Sequence, residues 1–480
     1  MQPSAFNLRV PMPDGDVFLL NTLTDAQLVV SGEVVALLDR IDDRTGSRPD
    51  LGDEEREALH TLSEHGFVVH DIGAERASLE SFFATFREDT SQLRVTILTT
   101  LQCNFACDYC YQGDHGAGPV GEKMSLETAA RVAEWIARQV DAVRPSRLVL
   151  TFFGGEPLLN VPALTHIARS CHAHAASRGI EQVVSIITNG LLLTPDLVDH
   201  LLPLGLTGVK VTLDGDRETH DRMRPLRGGQ GTFDRIVENV RRVADRVPVA
   251  IGGNFDVSTA GTYPALLDFL KDQAFASRLS TITFKPVIKP AAAPGAPAPR
   301  FVDGKVLIPL TAVGQDRAPL NGSCMSAAGA SSGSICDNCH FVDDQMSFLR
   351  EETRRRGFAT ADGVHMGPCE LYRRHSHTIG PDGSLYACPG FTGENALSVG
   401  HIAGRQDSVQ ADAAGRFDTL APWRQCGDCS FIPVCGGGCA VAAHTELGDM
   451  DTPSCHKRAF ESALVSLAGE AVGAATGRVQ

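Results

Sequence analysis

The residues of this chain best suited to chemistry are its cysteines. Of fourteen, Cys171 stands alone in the helix-like stretch 164–177, where a buried core thiol is expected, and thirteen fall into three groups. The first is Cys103, Cys107 and Cys110; the second is Cys324, Cys336 and Cys339; the third is Cys369, Cys388, Cys426, Cys429, Cys435, Cys439 and Cys455. Disulfides are uncommon among reduced intracellular thiols, so grouping of this kind points to metal or redox use. In Cys103-x3-Cys107-x2-Cys110 a single loop presents three thiolates to one centre. A structural zinc wants four ligands and a 4Fe-4S cube wants one per iron, so three thiolates leave one iron open; a zinc site completed by a distant residue is the alternative. By spacing alone, Cys426-x2-Cys429-x5-Cys435-x3-Cys439 also describes zinc knuckles. Cys336-x2-Cys339 reads as a loop thiol pair, with a weak metal or redox site as the other reading.

Charge and length narrow the classes. Lys+Arg 43 against Asp+Glu 58 gives a net charge of -15, which argues against a sequence-independent nucleic-acid grip and against an anionic membrane surface. No run approaches the roughly 18 to 20 apolar residues of a spanning helix, and Met1 to Val10 has neither the basic start nor the apolar core of a signal peptide. The expectation is a cytoplasmic protein with no nucleic-acid or membrane partner. With 480 residues, 43% hydrophobic and 21% charged, the chain has apolar surface enough for two or three packed domains.

The elements that must position the cysteines are legible between the groups. From Leu93, apolar strand-like runs alternate with amphipathic helical segments. Strands are expected at 94–98, 147–153, 182–187, 209–213, 247–252 and 281–287, with helices at 126–143, 162–177, 195–202, 233–244 and 263–273 between them. Six βα units with near-continuous apolar strands imply a parallel sheet or partial barrel covered by helices, whose ligands collect at the carboxyl ends of the strands. Ahead of it, short strands over 17–30, a helix from Ser31 and another over 54–65 make a small αβ module. After Pro286 an Ala, Pro and Gly-rich stretch reads as linker, then a helix over 345–356, the cysteine-rich segment 369–455 and a closing helix from His456. The expected division is 1–90, 91–288, 289–365 and 366–480. Few long apolar runs occur in 369–455, so bound metal is expected to replace part of its core.

The first cysteine loop, with Tyr109 before its last cysteine, resembles the signature of radical S-adenosylmethionine (SAM) enzymes. Gly154-Gly155-Glu156-Pro157 matches the family segment that contacts the SAM amino group. Thr188-Asn189-Gly190, Leu213-Asp214-Gly215, His220-Asp221 with Arg224, and Gly231-Thr232-Phe233 resemble segments lining the cofactor and substrate cleft. The resemblance covers about 93–287. It implies a partial (β/α)6 TIM-type barrel, one 4Fe-4S cluster on Cys103, Cys107 and Cys110, and SAM bound to the open iron and cleaved to methionine and a hydrogen-abstracting radical. Tyr109, Gly154, Gly155, Glu156, Pro157, Thr188, Asn189 and Asp214 would hold the cofactor. Asp221 is the candidate catalytic carboxylate, with Glu156 as another.

The seven later cysteines resemble a SPASM domain, which holds auxiliary 4Fe-4S clusters. That resemblance assigns Cys426, Cys429, Cys435 and Cys455 to an outer cluster and Cys369, Cys388 and Cys439 to an inner one, whose fourth ligand is His375, one of Cys324, Cys336 and Cys339, or none. The N-terminal module resembles the peptide-recognition element of ribosomal-peptide maturases, which add a leader as an extra strand. Together these imply a peptide maturase that abstracts a hydrogen from a precursor and installs a thioether or carbon-carbon crosslink, served by a flavodoxin or ferredoxin-type electron donor. A formylglycine-forming sulfatase maturase is the second reading; those relatives carry an Asp after the cysteine corresponding to Cys388, where this chain has Pro389. An iron-sulfur scaffold without catalysis is the third.

Overall fold

The computed structural model describes residues 1–42, 50–110, 123–288, 300–302, 305–307, 337–361, 364, 367–404 and 406–476. Cys324 and Cys336 lie outside these residues, as does most of the Ala, Pro and Gly-rich stretch.

Six parallel strands form the frame: β1 (Gln92–Leu98), β2 (Arg147–Phe153), β3 (Glu181–Thr188), β4 (Leu206–Thr212), β5 (Val249–Phe255) and β6 (Leu279–Pro286). They pair in chain order, and the sheet continues past β1 into β7 (Ser376–Ile379), β8 (Ser384–Tyr386) and β9 (Ser398–His401). Strand β7 runs parallel to β1, whereas β8 and β9 turn back antiparallel. The cysteine-rich region therefore enters the same nine-stranded sheet rather than hanging from a linker.

Helices cover the outer face. They are α1 (Leu126–Val143), α2 (Val161–Ala176), α3 (Pro195–Leu201), α4 (Arg217–Met223), α5 (Phe233–Val243) and α6 (Tyr263–Lys271). Their starts are chemically marked: the side chains of Ser125, Thr194 and Asp216 each accept a first-turn backbone N–H, and Pro195 fills the first helical position of α3. Apolar side chains of the strands, such as Val95, Ile97, Leu148, Leu150, Val184, Ile186, Val209 and Val211, join the buried faces of these helices in one core. Each such burial is worth about 1.5–3 kcal/mol. The strands are not apolar on both faces, however. Their burial alternates with period two, and the inward positions hold Thr96, Thr151, Ser185, Lys210 and Thr283, only partly buried. The barrel interior is thus polar and open.

The N-terminal region is more elaborate than strand-helix-helix. Antiparallel strands Asn7–Pro11, Val17–Asn21 and Ala26–Val30 form a sheet, and helices Gly32–Ile41, Asp53–Glu64 and Ile72–Glu88 follow. Alternation along Val17–Asn21 sends Leu19 into a core with the first two helices and Phe18 and Leu20 against the C-terminal helix Lys457–Thr476. The helix Ile72–Glu88 packs Leu79 and Phe83 into the cysteine-rich region, with Phe83 stacked on Trp423 at 3.8 Å between ring centroids. Among the described residues no helix is long and apolar enough to cross a membrane.

Candidate functional site

The first cysteine group follows β1, and three segments hold its loop. From the end of β2, Gly155 N–H donates to Thr100 O (3.0 Å) and Glu156 N–H to Gln102 O (2.9 Å). A Cβ on Gly155 would stand 2.3 Å from Gln102 O, and one on Gly154 would stand 2.3 Å from Thr100 O with φ at +135°. Only glycine allows the two loops to approach this closely. From beyond α4, Pro225 O accepts from Ala106 N (2.9 Å), Arg227 N donates to Asn104 O (3.2 Å), and Arg227 Nε donates to Cys103 O (2.8 Å). From the end of β3, Asn189 Nδ2 donates to Asn104 Oδ1 (2.7 Å) and lies 3.9 Å from Cys103 Sγ.

Glu156 is the internal clamp of this end of the barrel. It is fully buried and accepts from Leu158 N (3.0 Å), Thr188 Oγ1 (2.7 Å) and Asn189 N (2.8 Å), tying the loops after β2 and β3 together. Burial raises its carboxyl against the pull of these donors. Pro157 then opens the short helix Pro157–Asn160. With both oxygens accepting hydrogen bonds from the loops after β2 and β3, Glu156 is placed to shape the site.

A second polar set sits at the carboxyl ends of β4 and β5. The Tyr109 hydroxyl donates to Asp214 Oδ2 and accepts from Arg224 Nη1, while Asp214 Oδ1 accepts from Asn254 N (2.6 Å). Arg224 Nη1 lies 3.4 Å from Asp214 Oδ2, and its guanidinium also covers the Phe105 ring. Burial lifts the Tyr109 hydroxyl well above the usual range. His220 props the set from behind: Asp214 N donates to Nδ1 (3.1 Å), so Nε2 carries the proton toward Thr232 Oγ1 (3.1 Å), which in turn donates to Arg224 O. Burial and Arg224 hold this imidazole well below its ordinary pKa, hence neutral. One buried atom of the set, Arg224 Nε, has no hydrogen-bond partner among the described residues.

Asp221 has a different placement. Its Oδ1 accepts from the backbone N–H of Thr232 (2.6 Å) and Phe233 (2.9 Å) at the start of α5. A Cβ at Gly231 would stand 2.4 Å from Asp221 Oδ2, so that glycine clears room for the carboxylate. The carboxylate caps a helix, and the His-Asp and Gly-Thr-Phe segments are two halves of one brace. Arg224 and Asn254 join the site without having been singled out as site residues; Arg224 had a motif signal, whereas Asn254 becomes visible only when β5 is laid beside β4.

The three thiols of the loop sense one another. Burial pushes Cys107 up to about 11 and raises Cys103; the negative charge of Cys110 adds to both, and Arg224 opposes it. In the C-terminal region the cysteines separate into two sets. Cys435 feels Cys426, Cys455 and Cys429, whereas Cys388 feels Cys369 and Cys439, and burial pushes Cys435 and Cys388 each up to about 12. Tyr372 stands between the sets, donating to Gly436 O (2.8 Å) and in electrostatic reach of Cys369, Cys435 and Cys439. Among the described residues no three His, Cys, Asp or Glu side chains are close enough to hold a single metal ion; a cube taking one thiolate per iron spreads its ligands more widely. His375 lies two residues before His377, whose ring meets Trp135 of α1 edge-on (5.1 Å), so both point to the outer, helix-covered side. Lys285, in contrast, acts on both Cys369 and Cys388.

Comparison with known proteins agrees with this layout. Residues 97–264 match the model of the radical SAM superfamily. The Fe-coproporphyrin III synthase of Methanosarcina barkeri is 27% identical over 205 residues, 42% of this chain and 46% of the relative. The sporulation killing factor maturation protein SkfB of Bacillus subtilis is 26% identical over 168 residues, 34% of this chain and 36% of the relative. The chain thus spans less than half the length of these curated relatives. The solved structure of native anSMEcpe with bound AdoMet superposes with a TM-score of 0.56 at 14% identity, covering 80% of this chain and 99% of that one, and so shares the fold. With the cysteine loop after β1 and its glycine clamp after β2 both inside the matched segment, residues 97–264 form an enzyme domain of the radical SAM superfamily.

Proposed function

We propose that this enzyme modifies a peptide or protein, abstracting a hydrogen from a ribosomally made precursor and leaving a thioether or carbon-carbon crosslink. The donor set suits a 4Fe-4S cluster with an open iron: three thiols come from one loop, and burial and the neighbouring thiols raise Cys103 and Cys107, which a cationic centre would relieve. Cys103, Cys107 and Cys110 would hold that cluster, and Gly154, Gly155, Pro157, Thr188, Asn189, Tyr109 and Asp214 would surround SAM. The orphan Nε of Arg224 suits an anionic or carbonyl group there. Bound together, SAM and the cluster supply one-electron hydrogen abstraction. The chain's own part is to fix the loop through the two glycines, keep His220 neutral behind Asp214, and present a polar interior to the substrate.

The observation that carries the peptide reading is the second thiol set. Lys285, at the end of β6, acts on Cys369 and Cys388, and Cys439 in turn acts on both of those thiols. Cys369, Cys388 and Cys439 would hold an auxiliary cluster and Cys426, Cys429, Cys435 and Cys455 a second, which would supply one-electron redox capacity beside the SAM site, with a flavodoxin or ferredoxin-type protein as the external electron partner. Structures of anSMEcpe include one with bound AdoMet and Cp18Cys peptide, so a protein of this fold binds a peptide. That likeness favours a sulfatase maturase as the second reading; Pro389, which cannot take a proton, stands against it.

Anaerobic coexpression with a short peptide encoded beside the gene tests the proposal by intact mass and fragmentation. A loss of about two mass units, absent with Cys107→Ala, is the expected result for oxidative crosslinking. SAM cleavage with an unchanged peptide mass would refute crosslinking of that peptide and favour a redox-neutral change or another substrate.

A further inference from the structure

One lysine in the barrel is left without a counterion. Lys210 lies on the inward face of β4, flanked by Val209 and Val211 that point to the helices. Its backbone pairs with Ala250 of β5, yet its Cε lies 2.5 Å from where a Cβ of Gly252 would be. Gly252 is two residues farther along, so the side chain climbs toward the carboxyl ends of the strands, over a glycine that leaves it room. Its Nζ donates to Thr283 Oγ1 (3.4 Å), and Thr283 is the register partner of Gly252 on β6. Lys285, two residues on, pairs with Asn254, a member of the Tyr109 and Asp214 set.

Among the described residues no carboxylate pairs with Lys210 or Lys285. Burial, and the positive charge of Lys285, pull the Lys210 amine down to about 8. Three acids of this part of the molecule are engaged elsewhere: Asp214 with Tyr109, Arg224 and Asn254, Glu156 with its three donors, and Glu370 with Arg94. Two cations stand side by side at the carboxyl ends of the strands, Lys210 partly buried in the polar interior and Lys285 exposed beside it. Such an arrangement carries repulsion and desolvation cost until an anion arrives.

We propose that Lys210, Thr283 and Lys285 form a carboxylate-binding subsite, which seats a carboxylate of the substrate between the SAM site and Cys369, Cys388 and Cys439. This rests on the peptide-modifying reading and narrows it: the segment entering the barrel carries either an acidic side chain or a free C-terminus. The carboxylate fixes the substrate's register in the barrel, and Lys210 acts as a positioning residue. Gly252 contributes by its missing side chain.

Anaerobic acetylation of the reconstituted enzyme with sulfosuccinimidyl acetate, mapped by mass spectrometry, reads the subsite without requiring turnover. Lys210 should react at least about tenfold faster than the exposed Lys271, because a larger fraction of its amine is neutral near pH 8. N-acetyl-glutamate amide or N-acetyl-alanine should suppress that labelling, and N-acetyl-glutamine amide should not. Protection by the first alone assigns an acidic side chain, and protection by the second alone a C-terminal carboxylate. In Gly252→Ala the new methyl displaces the lysine tip, and carboxylate protection should fall. The proposal is overturned by labelling no faster than Lys271, by equal protection from the neutral amide, by full protection from SAM alone, or by unchanged protection in Gly252→Ala. Reductive SAM cleavage by wild type is scored separately. Its absence sinks the radical reading whatever the labelling, whereas its presence without carboxylate protection sinks the subsite alone.

Discussion

Gly155→Ala isolates the role of the glycine clamp. Residue 155 has no positive φ, so alanine suits its backbone, and the whole effect comes from space. The added Cβ would stand 2.3 Å from Gln102 O and 2.5 Å from Leu101 O, where ordinary contacts begin at 3.4 Å. Two backbone carbonyls must therefore retreat by about 1 Å, and the residue after them is Cys103. Overpacking of this kind costs about 1–3 kcal/mol, and a displacement of about 1 Å at a reacting centre costs about a hundredfold in rate. The assay is anaerobic 5′-deoxyadenosine formation per chain, with iron counted on the same sample. The expected result is a loss of about a hundredfold in rate with up to about four irons missing. Gly261→Ala, where nothing lies within 4 Å of the new methyl, is the matched control. Wild-type rate and iron content in Gly155→Ala would refute the claim that this glycine sets the position of the cysteine loop.

Three further outcomes follow from particular contacts. Asp221→Ala should lower stability by about 1–2 kcal/mol, the value of a lost helix cap, and Asp221→Asn should recover most of it because Oδ1 alone accepts from Thr232 and Phe233; equal losses in urea-melt midpoint would contradict the capping role. Cys435→Ala should remove about four irons while Mössbauer spectra retain the signal of the first cluster, and loss of all iron would show that the sets do not assemble separately. Lys210→Met should flatten the pH dependence of stability. The folded pKa near 8 lies below the unfolded 10.5, so the unfolded chain binds the extra proton between these values and wild-type stability rises with pH across that window, by about 1 kcal/mol after screening is allowed for; parallel wild-type and variant curves between pH 8 and 10 would refute the uncompensated lysine.

The barrel was legible because helix and strand periods differ so sharply along 92–286. The expected helix 126–143 has the observed bounds, and the six strands fall within a few residues of theirs. The short α4 escaped notice, since Arg217–Met223 is polar and has no apolar stripe to betray it. Helix Ile72–Glu88 escaped for a different reason. Its apolar residues serve two neighbours, and Phe83 finds its partners, Tyr372 and Trp423, far along the chain. The strands were expected to be buried on both faces, yet half of each lines an open interior. Thr, Ser and single lysines among β-branched residues read as ordinary strand composition, so Lys210 carried no signal until Gly252 and Thr283 were set beside it. Asp221 was visible as a carboxylate, but its hydrogen bonds to Thr232 and Phe233 exist only after α4 and α5 are folded against each other.

The cysteine-rich region joins the barrel through a shared sheet. Strand β7 pairs with β1 in parallel register, Ser376 with Arg94 and Ile379 with Ile97, so the two cysteine-bearing regions are fixed to neighbouring strands. Arg94 reaches Glu370 at 3.3 Å, and Glu370 also meets Arg373 at 3.2 Å, directly beside Cys369. A rigid sheet, a half-buried ion cluster and the buried Tyr372 thus hold the inner thiols against the barrel and apart from the outer set. A tethered domain on a flexible linker would sample many separations. A shared sheet permits one, so the fold itself sets the separation between the first cysteine loop and the inner thiols. The outer set is itself anchored from the N-terminal side, where Ser430 Oγ donates to Ala5 O (2.7 Å) and Arg424 makes a two-pronged contact with Glu80 (2.9 and 2.8 Å). These contacts tie Ala5 and the helix Ile72–Glu88 directly to the segment that carries the outer set.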